Sequence, residues 1–152
     1  MAKTFSGSLV TPDGPAFEGE AEMLIVPGQD GEIGVLARHA PLIATLKAGS
    51  TRVHLQRDVE VREFATGPGF FKVEQDRAIA LVDAAVSARE IDEDRARKQL
   101  EDAQAELAKV EAGESEADRW QLEQRIKHAE NQLAVAHGAT SPPIHVSAPV
   151  PG

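Results

Sequence analysis

Between Val86 and Asp92 the spacing of apolar residues changes from two to alternating three and four. Before the change, apolar and polar positions alternate over short runs. Val53-His54-Leu55 and Val59-Glu60-Val61-Arg62 show it most clearly, the pattern of a strand with one buried and one wet face. Strands are predicted over Lys3–Val10, Ala21–Val26, Gly31–Leu36, Leu42–Leu46, Thr51–Leu55, Val59–Ala65, Gly69–Glu74 and Arg77–Val82. The separators carry turn chemistry: Pro12-Asp13-Gly14-Pro15, Pro27-Gly28-Gln29-Asp30-Gly31, Gln56-Arg57-Asp58 and Gln75-Asp76. Strands this dense, with no helical period between them, predict an antiparallel β-sandwich or flattened barrel over residues 1–88.

After the change, Ala96, Leu100, Ala103, Leu107 and Val110 form one seam, and Leu122, Ile126, Ala129, Leu133 and Ala136 a second. Two such seams predict an antiparallel helical hairpin over residues 89–136. Asp92 fits an N-cap, with Glu93 and Asp94 in the first turn, where the helix dipole favours negative charge. Gly113 ends the first helix, and Ser115 with Asp118 three residues on reads as a capping box for the second. Each helix spans about 21 residues, roughly 30 Å. The seams are rich in alanine, so each contact buries little area at about 0.8 kcal/mol per CH₂. The hairpin is therefore expected to lean on the sandwich or on a partner. Trp120 lies off the seam and is expected to cover a neighbouring surface. From His137 to Gly152 there are four prolines and neither charge nor period, which predicts a flexible, disordered tail. The fold class is α+β.

Charge and composition narrow the function. The net charge of −9 divides evenly, with eight basic against twelve acidic residues over 1–88 and eight against thirteen beyond. Neither part is basic, which argues against a nucleic-acid or anionic-membrane surface. With no cysteine there is no disulfide framework and no thiolate metal site. The N-terminus enters strand-like sequence without a signal segment, and no apolar run is long enough to span a membrane, so a soluble protein is expected.

Catalytic chemistry finds no foothold. The sequence has no phosphate-cradling Gly-x-x-x-x-Gly-Lys, no Gly-x-Ser-x-Gly and no His-Glu-x-x-His. His39, His54, His128, His137 and His145 show no metal-ligand spacing, and alternation puts Glu18 and Glu20 on the wet face of a strand. No catalytic residue and no metal site are assigned. The competing reading is a ligand-binding β-sandwich oligomerised through its hairpin, which would need an aromatic-lined cleft; 4% aromatic residues speak against it.

Val10-Thr11-Pro12-Asp13-Gly14-Pro15, Phe17-Glu18-Gly19-Glu20, Asp30-Gly31-Glu32-Ile33-Gly34-Val35-Leu36 and His39-Ala40-Pro41-Leu42 follow one another in an order that resembles the epsilon subunit of F-type ATP synthases. Gly67-Pro68-Gly69-Phe70 stands where that family usually has Ser-Gly-Gly-Phe, and Ile91-Asp92-Glu93-Asp94-Arg95-Ala96 is similar to its first-helix signature. The likeness runs from about Phe5 to Ala136.

The resemblance implies a β-sandwich followed by a helical hairpin, in a non-catalytic subunit of the central stalk. It implies a sandwich that binds the gamma subunit and touches the c-ring, coupling the two in proton-driven ATP synthesis. Glu32 and His39 are then the candidate c-ring contacts. In bacterial members the hairpin can open, reach up the stalk to the catalytic alpha and beta subunits and block ATP hydrolysis. Arg119, Arg125 and Lys127 are the candidates for that inhibitory contact, although interleaved acids also fit a solvated face. Some members bind ATP through the motif that supplies Asp92 and Arg95. Here Val86, His128 and Gln132 replace the acidic and basic residues that would complete the site, so no cofactor is expected. The implied location is peripheral, at the cytoplasmic face of the inner membrane.

Overall fold

The computed structural model describes residues 3–56 and 60–138. Ten strands occupy the chain as far as Ser87: β1 Phe5–Thr11, β2 Gly14–Ala21, β3 Met23–Gly28, β4 Gly31–Leu36, β5 Leu42–Leu46, β6 Gly49–Gln56, β7 Glu60–Thr66, β8 Gly69–Glu74, β9 Arg77–Val82 and β10 Ala85–Ser87. A 3-10 turn at Ala88–Glu90 leads into helices α1 Glu93–Glu111 and α2 Arg119–Ala136. The bounds of β4, β5, β8 and β9 are those predicted, because each lies between glycine, proline or acidic turns.

Two strands escape the sequence pattern. In β2 Phe17, Gly19 and Ala21 share one face, of which Phe17 and Ala21 are buried and Gly19 exposed, so the apolar alternation is interrupted by a glycine. That glycine sits opposite Gly7 of β1, and the Phe17 ring lies against both. Glu18 and Glu20 are exposed, as alternation requires. The second missed strand, β10, is a three-residue edge on β7. The sheet is also not wholly antiparallel. Strand β1 runs parallel to β9, since the long intervening chain frees that pair from hairpin geometry.

The strand order is β10-β7-β6-β3-β5-β8-β9-β1-β2, with β4 paired to β3. Strand β3 serves both halves. Met23–Ile25 pair with His54–Arg52 of β6, whereas Gly28 meets Leu46 of β5. One continuous sheet therefore folds over into two layers, with β2 packed against β6. Between the layers lie Phe5, Leu9, Leu24, Val26, Val53 and Phe71, each 3% exposed or less. Thr51 and Thr66 are the buried polar exceptions, and their hydroxyls satisfy each other at 2.9 Å. A Cβ at Gly69 would collide with the Leu81 main-chain oxygen, so glycine permits the close start of the β8–β9 pair.

Helices α1 and α2 pack along the two predicted seams. Ala96, Ala103, Leu122 and Ala129 are buried, and Leu100, Leu107, Ile126 and Leu133 half-buried. Asp92 caps α1, its carboxylate accepting from Arg95 N at 3.1 Å. Gly113, at φ 77°, takes the left-handed conformation that ends the helix. The predicted Ser115 capping box is corrected. Asp118 caps α2 itself, accepting from Trp120 N and Gln121 N at 2.9 and 3.3 Å. Ser115 is held in the connection, donating to Glu106 at 2.6 Å. The helices are accordingly 19 and 18 residues long, shorter than expected. Changing Asp118 to Ala should destabilise the hairpin by about 1 kcal/mol. Asp118→Asn, which keeps the acceptor, should leave the helical melt near the parent; equal melts for the two variants would remove the cap.

Helix α2 packs on β6, β7 and the 3-10 turn, and its off-seam Val135 is buried. Of the predicted tail, His137 and Gly138 close α2, and residues 139–152 lie outside the described residues.

Candidate functional site

Cross-strand register sorts the residues of β5, β8 and β9 onto two faces. Ala44, Phe71 and Ala80 form an inward row; Thr45, Phe70 and Leu81 form the outward row beside it. The outer face is apolar where water should favour polar side chains: Ile43 is 76% exposed, Phe70 61% and Leu81 49%. Val10 of β1 stands next to Leu81 and extends the row. Large apolar groups grouped on one rigid face mark a surface that something covers. These residues were not named from the sequence. The available signal was the Phe70-Phe71 pair, because period two forces one of two adjacent phenylalanines outward.

Glu32 and His39 fall at opposite ends of β4, so the structure does not bring them together. Glu32 lies across β3 from β6, and its Oε2 accepts from Arg52 Nη2 at 2.6 Å. The two side chains are 11% and 15% exposed. His39 follows a turn in which Arg38 has φ 64° and donates its main-chain N–H to Asp76 at 2.6 Å. The imidazole Nδ1 donates to Ala40 O at 2.7 Å. Glu32 Oε1 and His39 Nε2 are buried atoms without a hydrogen-bond partner among the described residues.

The positions tied to ATP in the resembling family are engaged elsewhere. Asp92 spends its carboxylate on the helix cap, and the Arg95 side chain is exposed. Val86 pairs with Ala65 in the sheet. Gln132 Nε2 donates to His128 Nε2 at 2.8 Å, one turn apart on α2. Among the described residues, no hydrogen bond joins Asp92 or Arg95 to that pair.

The three basic residues of α2 separate into two environments. Arg119 bridges the hairpin, meeting Glu111 of α1 at 2.9 Å and Glu123 at 3.3 Å. Arg125 and Lys127 border a cleft of about 1150 Å³ between α2 and the sandwich, shared with Lys47, Asp83 and Trp120. Trp120, expected to cover a neighbouring surface such as the sandwich or the other helix, is largely open to solvent. It is 66% exposed, standing on the cleft's rim. No cluster of three or more histidine or acidic side chains suited to a metal occurs among the described residues. No described helix is long and apolar enough to cross a membrane.

These features define a class of protein: a folded-over β-sandwich with an exposed apolar row, carrying an antiparallel helical hairpin on one outer face. Over residues 4–88 the chain matches the family described as ATP synthase, Delta/Epsilon chain, beta-sandwich domain, and it belongs to that family. It is 36% identical over 131 residues to the ATP synthase epsilon chain of Rubrobacter xylanophilus, covering 84% of this chain and 88% of that one. The epsilon chain of Bacillus pumilus is 34% identical over 134 residues, covering 88% and 98%. Among solved structures, a chain of the Euglena gracilis mitochondrial ATP synthase has the same fold, with a TM-score of 0.72 at 24% identity over 88% of this chain and 82% of that one. A chain of the Tetrahymena thermophila mitochondrial ATP synthase central stalk and c-ring gives 0.54 at 12% identity, covering 91% and 98%.

Proposed function

We propose that this chain is a non-catalytic subunit of the ATP synthase central stalk. Its sandwich binds the gamma subunit and meets the c-ring, coupling them in proton-driven ATP synthesis, and its hairpin restrains ATP hydrolysis. The observation that carries the reading is the exposed row of Ile43, Phe70 and Leu81 on a rigid sheet face. A stable interface needs about 800 Å² from each partner, with aromatic anchors near its centre. The face centred on Phe70 supplies such an anchor on regular strands, without ordering a mobile segment.

At the c-ring, Glu32 and His39 are the proposed contacts. Each retains a buried polar atom without a hydrogen-bond partner among the described residues, which leaves bonding capacity that the fold does not use. For the hairpin, opening into one rod would place its tip roughly 60 Å from the sandwich. Opening would also separate Arg119 from Glu111, freeing it to join Arg125 and Lys127 against acidic loops of the catalytic alpha and beta subunits. The reading assigns no cofactor, because Asp92, His128 and Gln132 are already engaged within the fold. The location it implies is peripheral, on the cytoplasmic face of the inner membrane.

A chain stopped at Ala88 tests both halves. It is expected to bind gamma with nearly full-length affinity, while the complex it forms hydrolyses ATP faster than one holding the whole chain. Equal hydrolysis rates would remove the hairpin from regulation, and a large loss of affinity would move the interface onto the helices.

A further inference from the structure

Polar side chains stitch the hairpin to itself at both ends, whereas α2, packed on β6 and β7, is tied to the sandwich by a polar side chain at one point. Arg119 meets Glu111 near the tip, and His137 Nε2 lies 3.1 Å from Glu93 at the base. Among the described residues, side-chain hydrogen bonds between hairpin and sandwich come from Asn131. Its Nδ2 donates to Gly49 O at 3.1 Å and to Thr66 O at 3.2 Å. No ion pair among the described residues adds to them. Toward the tip the surfaces part into the cleft that Trp120 borders.

We propose that Asn131 is the latch that holds the compact state, and that the hairpin leaves the sandwich as a unit before its helices separate. Chemistry selects asparagine for this place. A primary amide presents two N–H donors on one nitrogen, and Gly49 and Thr66 are register partners, so two carbonyl oxygens converge on it. Serine or histidine could serve only one of them. A carboxylate of the same shape donates to neither and sets negative charge against two carbonyl dipoles. The Asn131 bonds add a local polar grip to the packing of α2 on β6 and β7, and the alanine-rich seam between α1 and α2 is untouched by their loss. Regulation by hairpin release, as proposed above, would then turn on one side chain.

The test uses a thiol reporter in a chain that has no cysteine of its own. Ala65 is 1% exposed and faces away from the sandwich core, on the strand that α2 covers. In the free full-length Ala65→Cys protein, alkylation therefore reports lifting of α2. Adding Asn131→Leu or Asn131→Asp should speed alkylation about tenfold, equivalent to about 1.4 kcal/mol and in line with two neutral hydrogen bonds. The sandwich melt should stay where it was. An unchanged alkylation rate in both variants would overturn the latch. In the assembled enzyme the same variants should deepen inhibition of hydrolysis. Faster alkylation with unaltered hydrolysis would uphold the latch and overturn the regulatory reading, so the two failures are distinguishable.

Discussion

Phe70→Thr is expected to weaken gamma binding by about a hundredfold, the loss typical of an aromatic anchor at an interface centre. The isolated chain should melt where the parent melts. Phe70 is 61% exposed and contributes little to the core, and threonine suits a strand as well as phenylalanine does. Its outward neighbours Ile43 and Leu81 should show smaller losses of the same kind, since peripheral contacts mainly exclude water from the anchor. Titration calorimetry against gamma, with a thermal melt of each variant, measures both sides. Undiminished affinity for Phe70→Thr would mean that another face of the sandwich carries the interface.

Phe71→Ala should do the reverse. This ring is fully buried between the layers on a strand flanked by β5 and β9, and truncating a buried phenylalanine costs about 3–5 kcal/mol. Domains of this size are stable by about 5–15 kcal/mol in total. The melting temperature should therefore drop by roughly 15–30 °C. Well below the new transition, gamma affinity should be close to the parent's. A drop of only a few degrees would show that neighbouring side chains collapse into the space. Adjacent residues thus separate binding from stability, through nothing more than the pleat of β8.

That pair also shows how far the chain could be read before it was folded. Period two was visible in β6 and β7, the bounds of β4, β5, β8 and β9 in their flanking turns, and the heptad spacing of Ala96 to Val110 without any partner. Local chemistry suffices for such features. It failed where the deciding contact is remote or missing. Gly19 hides β2 because it carries no side chain on the face where Phe17 and Ala21 are buried, and the Phe17 ring lies against it. Ser115 and Asp118 both suit a cap, and only the path of the connection chooses between them. Glu32 reads as a free surface acid until the β4-β3-β6 order brings Arg52 beside it. Asn131 gives no signal at all, since its partners are main-chain oxygens 82 and 65 residues away. The candidate site was expected from the sequence as a docking surface on the sandwich beside a helical hairpin. Its anchors were legible only once register was known.

Strand β3 belongs to both layers, changing neighbours between Ile25 and Gly28. In a sandwich of two separate sheets, a twist applied to one layer reaches the other through side-chain contact, and the layers can slide. Here it also travels along one strand's covalent backbone and the hydrogen bonds on both its flanks. Those bonds lie across the direction of sliding and must fail together rather than one at a time. The unit is therefore a single folded leaf spring, stiff in torsion for its mass, and a weak point introduced at Pro27 or Gly28 should soften it more than any loss of packing of equal free energy.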